Sequence, residues 1–563
     1  MVGIIKKTGA WYCALWLFVF CFFAVVGMGW WFHGDDFSGL ALGKAMQSWD
    51  AFWAHLVQGN VNKYFFPSHH PLYVPFTNEH GPALSFFQVY YRPVQCAYFA
   101  FAHWAFGYVG YYYFLVNVAL HACNTTVLFA FLRKFTTTWW ALGLALFFAL
   151  HPQIGYRFGT SANFQYYLNV LLMLALVWAY KKYLDGASWS YLMWSVALFF
   201  LALFTRETVI VLPPLLWLGA WVYTKRFGWS AIAHGIVVLF YLAVRLAQYP
   251  LPTKSAFGGG GLNVVQLLLE RKDQFLVCLY DSLGLSWLLH GSKGLRVMLV
   301  GVVAAIVLMA WRRHAHSLAL FFLLGAYVLL LWPSCFGAYS PRYFYEASPA
   351  LLAFFAVLRG KQRVPLWVVR FGAGACGAFL ALCAYFIMIN ISCRAQKMMA
   401  MRDGFCSLMH DVRVTSGERP LVFIGVPIDG FGTGIEWAAW LFLTPLHNQV
   451  YYDPCTIVTQ YKRNVVMPVG WYMRCAPYYE KQYVAIAKEG RRIRFCSVDP
   501  AFVHFIIQPQ LLSLGEYDIH KKMVIDGVEV VVDFTLVLDE LLYKKNPLVI
   551  TWNYEHKKCY VLE

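Results

Sequence analysis

Two adjacent carboxylates follow the first long apolar segment of the chain. The stretch "WWFHGDDFSGL" places Asp35 and Asp36 directly after a hydrophobic run that is long enough to cross a bilayer. Acids at the end of such a segment are costly, and they suit a base that takes a proton from an attacking hydroxyl. The competing interpretation is that one of them caps a helix beginning near Phe37.

Further polar residues lie at the ends of later apolar segments, on the same predicted extracytoplasmic side of the membrane. Arginine offers a planar, permanently charged fork for phosphate, so Arg342, Arg92 and Arg206 are candidate donor or phosphate ligands, with Tyr343 beside the first of them. The candidate contacts to a donor or an acceptor are His80, Glu79, Glu207 and His151.

Several of these residues have structural alternatives. Arg92 precedes a proline and could anchor a helix end at the interface. Arg206 and Glu207 could form a salt bridge that lets two short helices pack. His121 and Asn124 lie inside an apolar segment, where such residues usually satisfy neighbouring polar groups.

A metal site is a separate possibility in the first loop. Glu79 and His80, together with His69 or His70, have ligand chemistry that suits a divalent ion. Their spacing matches no recognised ligand pattern, so a divalent metal stays an open alternative and the sequence assigns no cofactor with certainty.

The composition indicates which elements position these residues. Of the 563 residues, 60% are hydrophobic, 19% aromatic and only 13% charged, which excludes an ordinary soluble domain. The net charge of +17 lies almost wholly before Arg394, because the rest carries 19 basic and 18 acidic residues. Basic doublets in short loops between apolar segments follow the positive-inside rule and argue against a nucleic-acid partner.

Placing every basic doublet on the cytoplasmic side threads the chain through the bilayer about eleven times. The predicted spans are 11–32, 95–131, 139–155, 162–180, 189–204, 209–223, 229–248, 297–311, 317–336, 346–358 and 366–392. The loop 33–92 between the first two contains stretches amphipathic enough to lie along the membrane surface. We therefore predict an α-helical polytopic domain over 1–393.

The remaining residues, 394–563, read as an extracytoplasmic α/β domain. "LVFIGV" is a buried-strand pattern, and "GIEWAAWLFL" is helical in period. "VIDGVEVVVDF" predicts a hairpin through its Asp-Gly turn, and "LVITWNYEHKKCYVL" predicts a second one. Cys393 at the boundary and the five cysteines within 394–563 permit disulfides, whose pairing the sequence does not give.

The order of these motifs resembles a known superfamily. An acidic pair after the first helix is followed in order by "TNEHGPALSFFQVYYRPV", "FLVNVALHACNTTVLFAFLRK", "HPQ", "LALFTRETVIVLPPLL" and "SPRYFYEASPALLA". This order is similar to that of the GT-C polytopic glycosyltransferases, nearest to the protein O-mannosyltransferase-like, TMTC-like and aminoarabinose-transferase-like branch. The resemblance covers residues 30 to about 358.

The resemblance implies transfer of a sugar from a polyprenyl-phosphate donor to an extracytoplasmic protein, glycolipid or glycan acceptor, with inversion. It implies that Asp35 or Asp36 acts as base or orients the acceptor, and that Arg342 binds phosphate. The threading of the basic doublets places the active site and the C-terminal domain outside the cytoplasm. Because many bacterial members of the superfamily carry a similar small C-terminal domain, we expect a multi-pass protein of a bacterial inner membrane, with both on the periplasmic side. The alternatives are a lipid-linked-sugar flippase or transporter, and a non-catalytic sugar-lipid-binding relative.

Overall fold

The computed structural model describes several long stretches of the helical part of the chain and, in the C-terminal part, mainly the strands. The described residues are 2–32, 39–40, 43–44, 46–58, 92–151, 163–225, 230, 232–248, 317–331, 342–360, 374, 377–389, 391–392, 395–396, 398–399, 402–403, 421–423, 450–452, 457–459, 484–497, 503–505, 515–525, 528–538, 548–553 and 558–562.

Twelve helices, a short 3₁₀ helix and ten strands lie in this described part. The helices are α1 (Val2–Val26), α2 (Trp49–Gln58), α3 (Pro93–Phe106), α4 (Gly110–Leu132), α5 (Thr138–Ala149), α6 (Phe164–Leu184), α7 (Trp189–Thr205), α8 (Leu212–Thr224), α9 (Ile232–Gln248), α10 (Ser317–Leu331), α11 (Arg342–Arg359) and α12 (Gly377–Ile389). The 3₁₀ helix Glu207–Val211 joins α7 to α8.

The helices have the composition of a membrane protein. Three segments are long and apolar enough to cross a bilayer, namely Gly9–Val26, Gly110–Leu132 and Glu207–Thr224, and six further apolar helices are shorter. Outward-facing side chains such as Leu239 on α9 and Trp104 on α3 are 68% and 73% exposed. A lipid environment accommodates these apolar faces, so the chain is an α-helical polytopic membrane protein.

One predicted span is wrong. The segment 95–131 is two helices, α3 and α4, because the chain turns at Gly107, whose φ of +53° glycine adopts without strain. The Gly107 amide donates to the carbonyl of His103, and the Tyr113 hydroxyl donates to the Gly107 carbonyl. A segment of that length also exceeds the roughly 20 residues that one crossing needs. The predicted span 297–311 lies outside the described residues.

Two hydrophobic clusters form the core of the helical part. One gathers buried side chains of α1, α3, α4 and α5, and the other gathers those of α7, α8, α9 and α10. Helices α6 and α11 contribute to both clusters, through Tyr167 and Leu352 on one side and Leu176 and Leu351 on the other. These two helices are therefore the seam of the fold.

Basic residues meet at one end of the helices. Lys134, just after α4, lies close enough to Lys181 and Asp185 at the end of α6 to interact with both. Lys181 donates to Asp185 at 2.7 Å, and the Thr136 hydroxyl donates to the carbonyl of Gly360 after α11. The doublets that the sequence assigns to one side of the membrane thus share one end of the bundle where the structure describes them.

The strands form two sheets. In the first, β1 (Leu421–Phe423) runs parallel to β2 (Val450–Tyr452) and to β9 (Leu548–Asn553), which pairs antiparallel with β10 (Lys558–Leu562). The second sheet has the order β3-β6-β8-β5-β4, with β7 also paired to β8. Its strands are β3 (Ile457–Thr459), β4 (Val484–Glu489), β5 (Arg492–Ser497), β6 (Val503–Phe505), β7 (Gly515–Ile525) and β8 (Val528–Leu538).

Both predicted hairpins are confirmed. Strands β7 and β8 pair antiparallel with Ile525 opposite Val528, which leaves a two-residue Asp-Gly connection, and β9 pairs with β10. The predicted helix in "GIEWAAWLFL" lies outside the described residues. So do the side chains of the predicted extracytoplasmic cysteines, except Cys496, which forms no disulfide with another described cysteine.

A close backbone contact fixes the last described residues before the acidic pair, Trp31 and Phe32. Trp31 and Phe32, which follow α1, are buried against the start of α4. A Cβ added at Gly110 would lie 2.9 Å from the Trp31 Cα and 3.1 Å from the Phe32 amide nitrogen. Only a glycine lets these two backbones approach so closely.

Gly110→Ala is therefore expected to push the segment after α1 away from α4 and to destabilise the protein by about 1–3 kcal/mol, as overpacking does. The measurement is thermal unfolding in detergent, with hydrogen exchange over residues 28–40. Gly235→Ala is the matched control, because a Cβ there meets nothing within 4 Å and alanine is the better helix former. Equal stability of the two variants would contradict the close-contact explanation.

A charged pair in the second sheet predicts a pH dependence. The Arg494 guanidinium on β5 donates to both carboxylate oxygens of Asp533 on β8, at 3.0 and 2.7 Å, and this hydrogen bonding lowers the pKa of Asp533 below its ordinary 3.8. A lowered folded-state pKa contributes stability above pH 3.8, and this contribution disappears as the pH falls through the folded value.

Asp533→Asn should therefore flatten the loss of sheet stability between pH 6 and pH 3. The stability is measured at each pH as the urea concentration at which β5 and β8 are half unfolded, with pulsed hydrogen exchange as the probe. Glu489→Gln, which removes an exposed carboxylate at the end of β4, is the control. An unchanged acid response in Asp533→Asn would show that the pair does not stabilise the sheet.

Candidate functional site

The junction between α7 and the 3₁₀ helix separates two neighbouring charged side chains. Arg206 has extended backbone angles, φ −163° and ψ 130°, between the last residue of α7 and Glu207 at the start of the 3₁₀ helix. Successive side chains of an extended segment point to opposite sides. Arg206 and Glu207 therefore have different partners, and the prediction of a salt bridge between them is wrong.

Arg206 points into the protein. Its side chain is 2% exposed, and its Nε lies 3.2 Å from Oε1 of Glu346 on α11. The same Nε donates to the Thr208 hydroxyl at 3.1 Å, and the guanidinium carbon stands 3.7 Å from the ring centroid of Tyr166 on α6. Stacking on an aromatic face is a favourable position for a desolvated guanidinium.

Glu346 is the centre of this buried cluster. It is 1% exposed and lies in the second turn of α11. The Asn169 amide on α6 donates to its Oε1 at 2.8 Å, and the Thr208 hydroxyl lies 3.1 Å from each carboxylate oxygen. A carboxylate buried this deeply is stable only when paired and hydrogen-bonded, and both conditions are met.

Arg92 and Glu207 form a second charged pair at the same end of the bundle. Arg92 occupies the position before the first turn of α3, where Pro93 follows. Its Nε donates to Glu207 Oε2 at 2.9 Å, and its Nη2 donates to Oε1, so the contact is a two-pronged fork. The side chains are 12% and 32% exposed, which is more than Arg206 and Glu346 show.

The four charged side chains lie together where four helices converge. These are the start of α3, the end of α7, and the first turns of α6 and α11. Two guanidiniums and two carboxylates balance, and all four have side-chain partners within the group. Charged residues at the ends of apolar helices are expensive in a membrane protein and mark functional sites by default. This arrangement is the candidate functional site.

A neighbouring polar chain is structural. His121 Nε2 lies 3.2 Å from the Ala149 carbonyl, which only accepts, so Nε2 carries the proton and Nδ1 accepts from the Tyr345 hydroxyl at 2.8 Å. The Asn124 amide then donates to the Tyr345 oxygen at 3.0 Å and to the Tyr167 carbonyl at 2.8 Å. The interpretation that His121 and Asn124 satisfy neighbouring polar groups is confirmed.

The first turns of α11 also contain a proline. Pro349 has no amide hydrogen, so the carbonyl of Tyr345 loses its helical donor. The Ser348 hydroxyl donates to that carbonyl at 2.9 Å in its place. The helix therefore continues through the proline with the freed backbone group satisfied.

Of the other predicted site residues, His151 is described fully. It lies two residues beyond the end of α5, fully buried, with its ring 4.4 Å from that of Phe344 and 5.1 Å from that of Phe147. Arg342 and Tyr343 begin α11, but their side chains lie outside the description. Asp35, Asp36, Glu79 and His80 lie outside the described residues.

The proposed metal ligands are among those undescribed residues. Within the described part of the chain, no three His, Cys, Asp or Glu side chains group closely enough to hold a metal ion. A divalent ion at Glu79 and His80 therefore stays a prediction.

Glu346 and three of its neighbours were not among the predicted site residues. Asn169, Thr208 and Tyr166 are ordinary residues in apolar segments, and only the fold brings them together. Glu346 itself carried a usable signal, because it is an acid within the apolar run "YFYEASPALLAFF". An unpaired acid in such a run predicts an arginine partner on another helix.

Comparison with known proteins gives distant likenesses among solved structures. No family model and no curated protein matches the chain. Among solved structures, the chain is similar to the crystal structure of ArnT from Cupriavidus metallidurans bound to undecaprenyl phosphate, at 12% identity and a TM-score of 0.42. The match covers 84% of this chain and 89% of that one. A likeness this distant does not carry a functional argument, which has to come from the residues of this chain.

Glu346→Gln should destabilise the helical part by about 3–5 kcal/mol, because it leaves the Arg206 guanidinium buried without its counter-charge. Thermal unfolding in lipid nanodiscs measures the loss. The double variant Arg206→Met with Glu346→Leu should recover most of it, since replacing a buried ion pair with apolar side chains is often neutral. A double variant as unstable as Glu346→Gln would mean that the pair is not what holds α11 in place.

Proposed function

We propose that this chain is an integral membrane glycosyltransferase that moves a sugar from a polyprenyl-phosphate donor to an acceptor outside the cytoplasm. The observation that carries the proposal is the meeting of Arg92, Arg206, Glu207 and Glu346 at one end of an apolar helix bundle. Lys134 and Lys181 lie at the other end, which the positive-inside rule assigns to the cytoplasm. A headgroup site at the outer interface serves a donor whose lipid stays in the bilayer.

The proposed reaction is a single inverting displacement. Asp35 or Asp36 takes the proton of the acceptor hydroxyl as its oxygen attacks the anomeric carbon from the face opposite the phosphate. The bond from that carbon to the phosphate oxygen breaks, and the oxygen keeps the electron pair. The lipid phosphate leaves as an anion, which a positioned cation stabilises as its charge develops.

Arg342 is the proposed cation for the leaving phosphate. Its position is four residues before Glu346 on α11, and residues at that spacing share a helix face. Because Glu346 is held by Asn169, Thr208 and Arg206, the first turn of α11 has a fixed orientation at this end of the bundle. A fixed backbone supports a guanidinium that must meet a phosphate in one geometry.

Arg206 takes a different role from the one that its residue type suggests. A guanidinium that is 2% exposed and already paired would have to leave Glu346 before it could touch a lipid phosphate. We therefore assign Arg206 as a positioning residue for α11 and assign phosphate contact to Arg342 and Arg92. The side chain of Arg92 is 12% exposed, which is more than that of Arg206.

The remaining assignments follow the sequence. His80, Glu79 and His151 are proposed contacts to donor or acceptor, with the domain boundary near residue 393 and residues 394–563 outside the cytoplasm. A bacterial inner membrane with a periplasmic active site is the proposed setting. The acceptor belongs to the protein, glycolipid or glycan class.

The decisive experiment is transfer by the purified full chain in lipid. A panel of radiolabelled polyprenyl-phosphate sugars is offered with crude envelope acceptors to the wild type and to Asp35→Asn, Asp36→Asn and Arg342→Ala. One Asp variant is expected to lose activity at least about a hundredfold, the lower end of what a general base contributes, while it still folds and binds donor. Leu239→Ala, on the lipid-facing side of α9, is the control for an innocuous change.

Two results would contradict the proposal. Absence of transfer with every donor, or transfer unaffected by all three substitutions, would indicate a protein that handles or transports lipid-linked sugars instead. In that case Asp35 and Asp36 would be reduced to helix-capping residues.

A further inference from the structure

We propose that Glu207 is a displaceable counterion that occupies the lipid-phosphate site at Arg92 until the ligand arrives. This inference rests on the proposed function, because it assumes that a polyprenyl phosphate binds at this end of the bundle. It adds a regulatory role for a residue on this chain, namely that the carboxylate competes with the ligand and sets how readily the product leaves.

The two arginine pairs of the site differ in how firmly their carboxylates are held. Glu346 is 2% exposed in its side chain and receives hydrogen bonds from Asn169 and Thr208 as well as its contact with Arg206. The side chain of Glu207 is 32% exposed, and its carboxylate accepts hydrogen bonds from the Arg92 guanidinium and from its own backbone amide. Of the two carboxylates, Glu207 is therefore the one that can leave at the lower cost.

Glu207 occupies Arg92 in the manner of a phosphate. Its two oxygens face Nε and Nη2 of the guanidinium, and a phosphate presents two oxygens to the same fork. Two oxygens of an incoming phosphate can thus take the places of the two carboxylate oxygens at Nε and Nη2. Glu207 is the first residue of a 3₁₀ helix, where a partly exposed side chain can rotate outward without unfolding the helix.

The charge balance among the described side chains favours such an exchange. The described site carries two positive and two negative side chains, so an added phosphate would find a neutral cluster. An extra anion next to a carboxylate at a poorly hydrated interface is unfavourable. Displacing Glu207 into water gives the phosphate the full charge of Arg92, and its return helps to expel the lipid phosphate after transfer.

Direct binding tests the proposal on the full chain in detergent. Farnesyl phosphate is the probe, with farnesol to isolate the phosphate contribution and inorganic phosphate to separate a free anion from a lipid headgroup. Glu207→Gln keeps the shape of the side chain but removes the competing charge, and it is expected to tighten farnesyl phosphate binding about fivefold. Arg92→Gln should weaken binding, and Glu207→Gln added to Arg92→Gln should change nothing further.

The outcomes separate the inference from the proposed function. Wild-type binding that Glu207→Gln weakens, or leaves unchanged, overturns the inference and leaves the glycosyltransferase proposal intact. No binding of farnesyl phosphate by the wild type or by Glu207→Gln overturns the polyprenyl-phosphate donor itself.

Glu207→Asp covers the case in which Glu207→Gln does not fold. The shorter carboxylate keeps its charge but loosens the fork with Arg92, and it should tighten binding about twofold. Weaker binding by Glu207→Asp would again overturn the inference. Tighter binding of inorganic phosphate alone, without a matching change for farnesyl phosphate, would also overturn it, because the site would then not be a lipid-headgroup site.

Discussion

The buried carboxylate of Glu346 is the constraint on which the helical part of this protein depends. A charge this far from water is tolerated only while its partners stay in place, and those partners belong to α6, to the end of α7 and to the 3₁₀ helix. The two hydrophobic clusters leave the relative height and rotation of the helices loosely defined, because apolar contacts have no direction. The ionic cluster supplies that direction at the seam between them.

The charged pairs at the two ends of the bundle differ in how far they are exposed to solvent. At one end Lys181 and Asp185 pair near the surface, where such contacts contribute little to stability. At the other end Arg206 and Glu346 are nearly inaccessible, and Arg92 and Glu207 are only partly exposed. A chain with 13% charged residues has placed several of its most costly ones together, and that concentration distinguishes the proposed reactive end from the end that only fixes topology.

Local patterns predicted much of the fold and little of the site. Apolar runs between basic doublets gave most helices, and the Asp-Gly turn gave the β7–β8 hairpin, because both signals are local. The break at Gly107 was missed since a single glycine in an apolar run reads as part of a span. The pairing of Arg206 with Glu346, and not with its neighbour Glu207, depends on a backbone angle and on a helix 140 residues away, so no spacing rule could reveal it.

Consecutive residues of α11 are tied to opposite halves of the protein. Tyr345 joins His121 and Asn124 in the first hydrophobic cluster, and Glu346 joins Arg206 beside the second. Neighbouring helical side chains diverge by about 100° around the axis, so two such ties prevent the helix from both sliding and spinning. Pro349 follows within one turn and frees the backbone beyond it to bend. The far end of α11 is held as well, by the Thr136 hydroxyl on the Gly360 carbonyl, so a helix fixed at both ends has its one built-in bending point at Pro349.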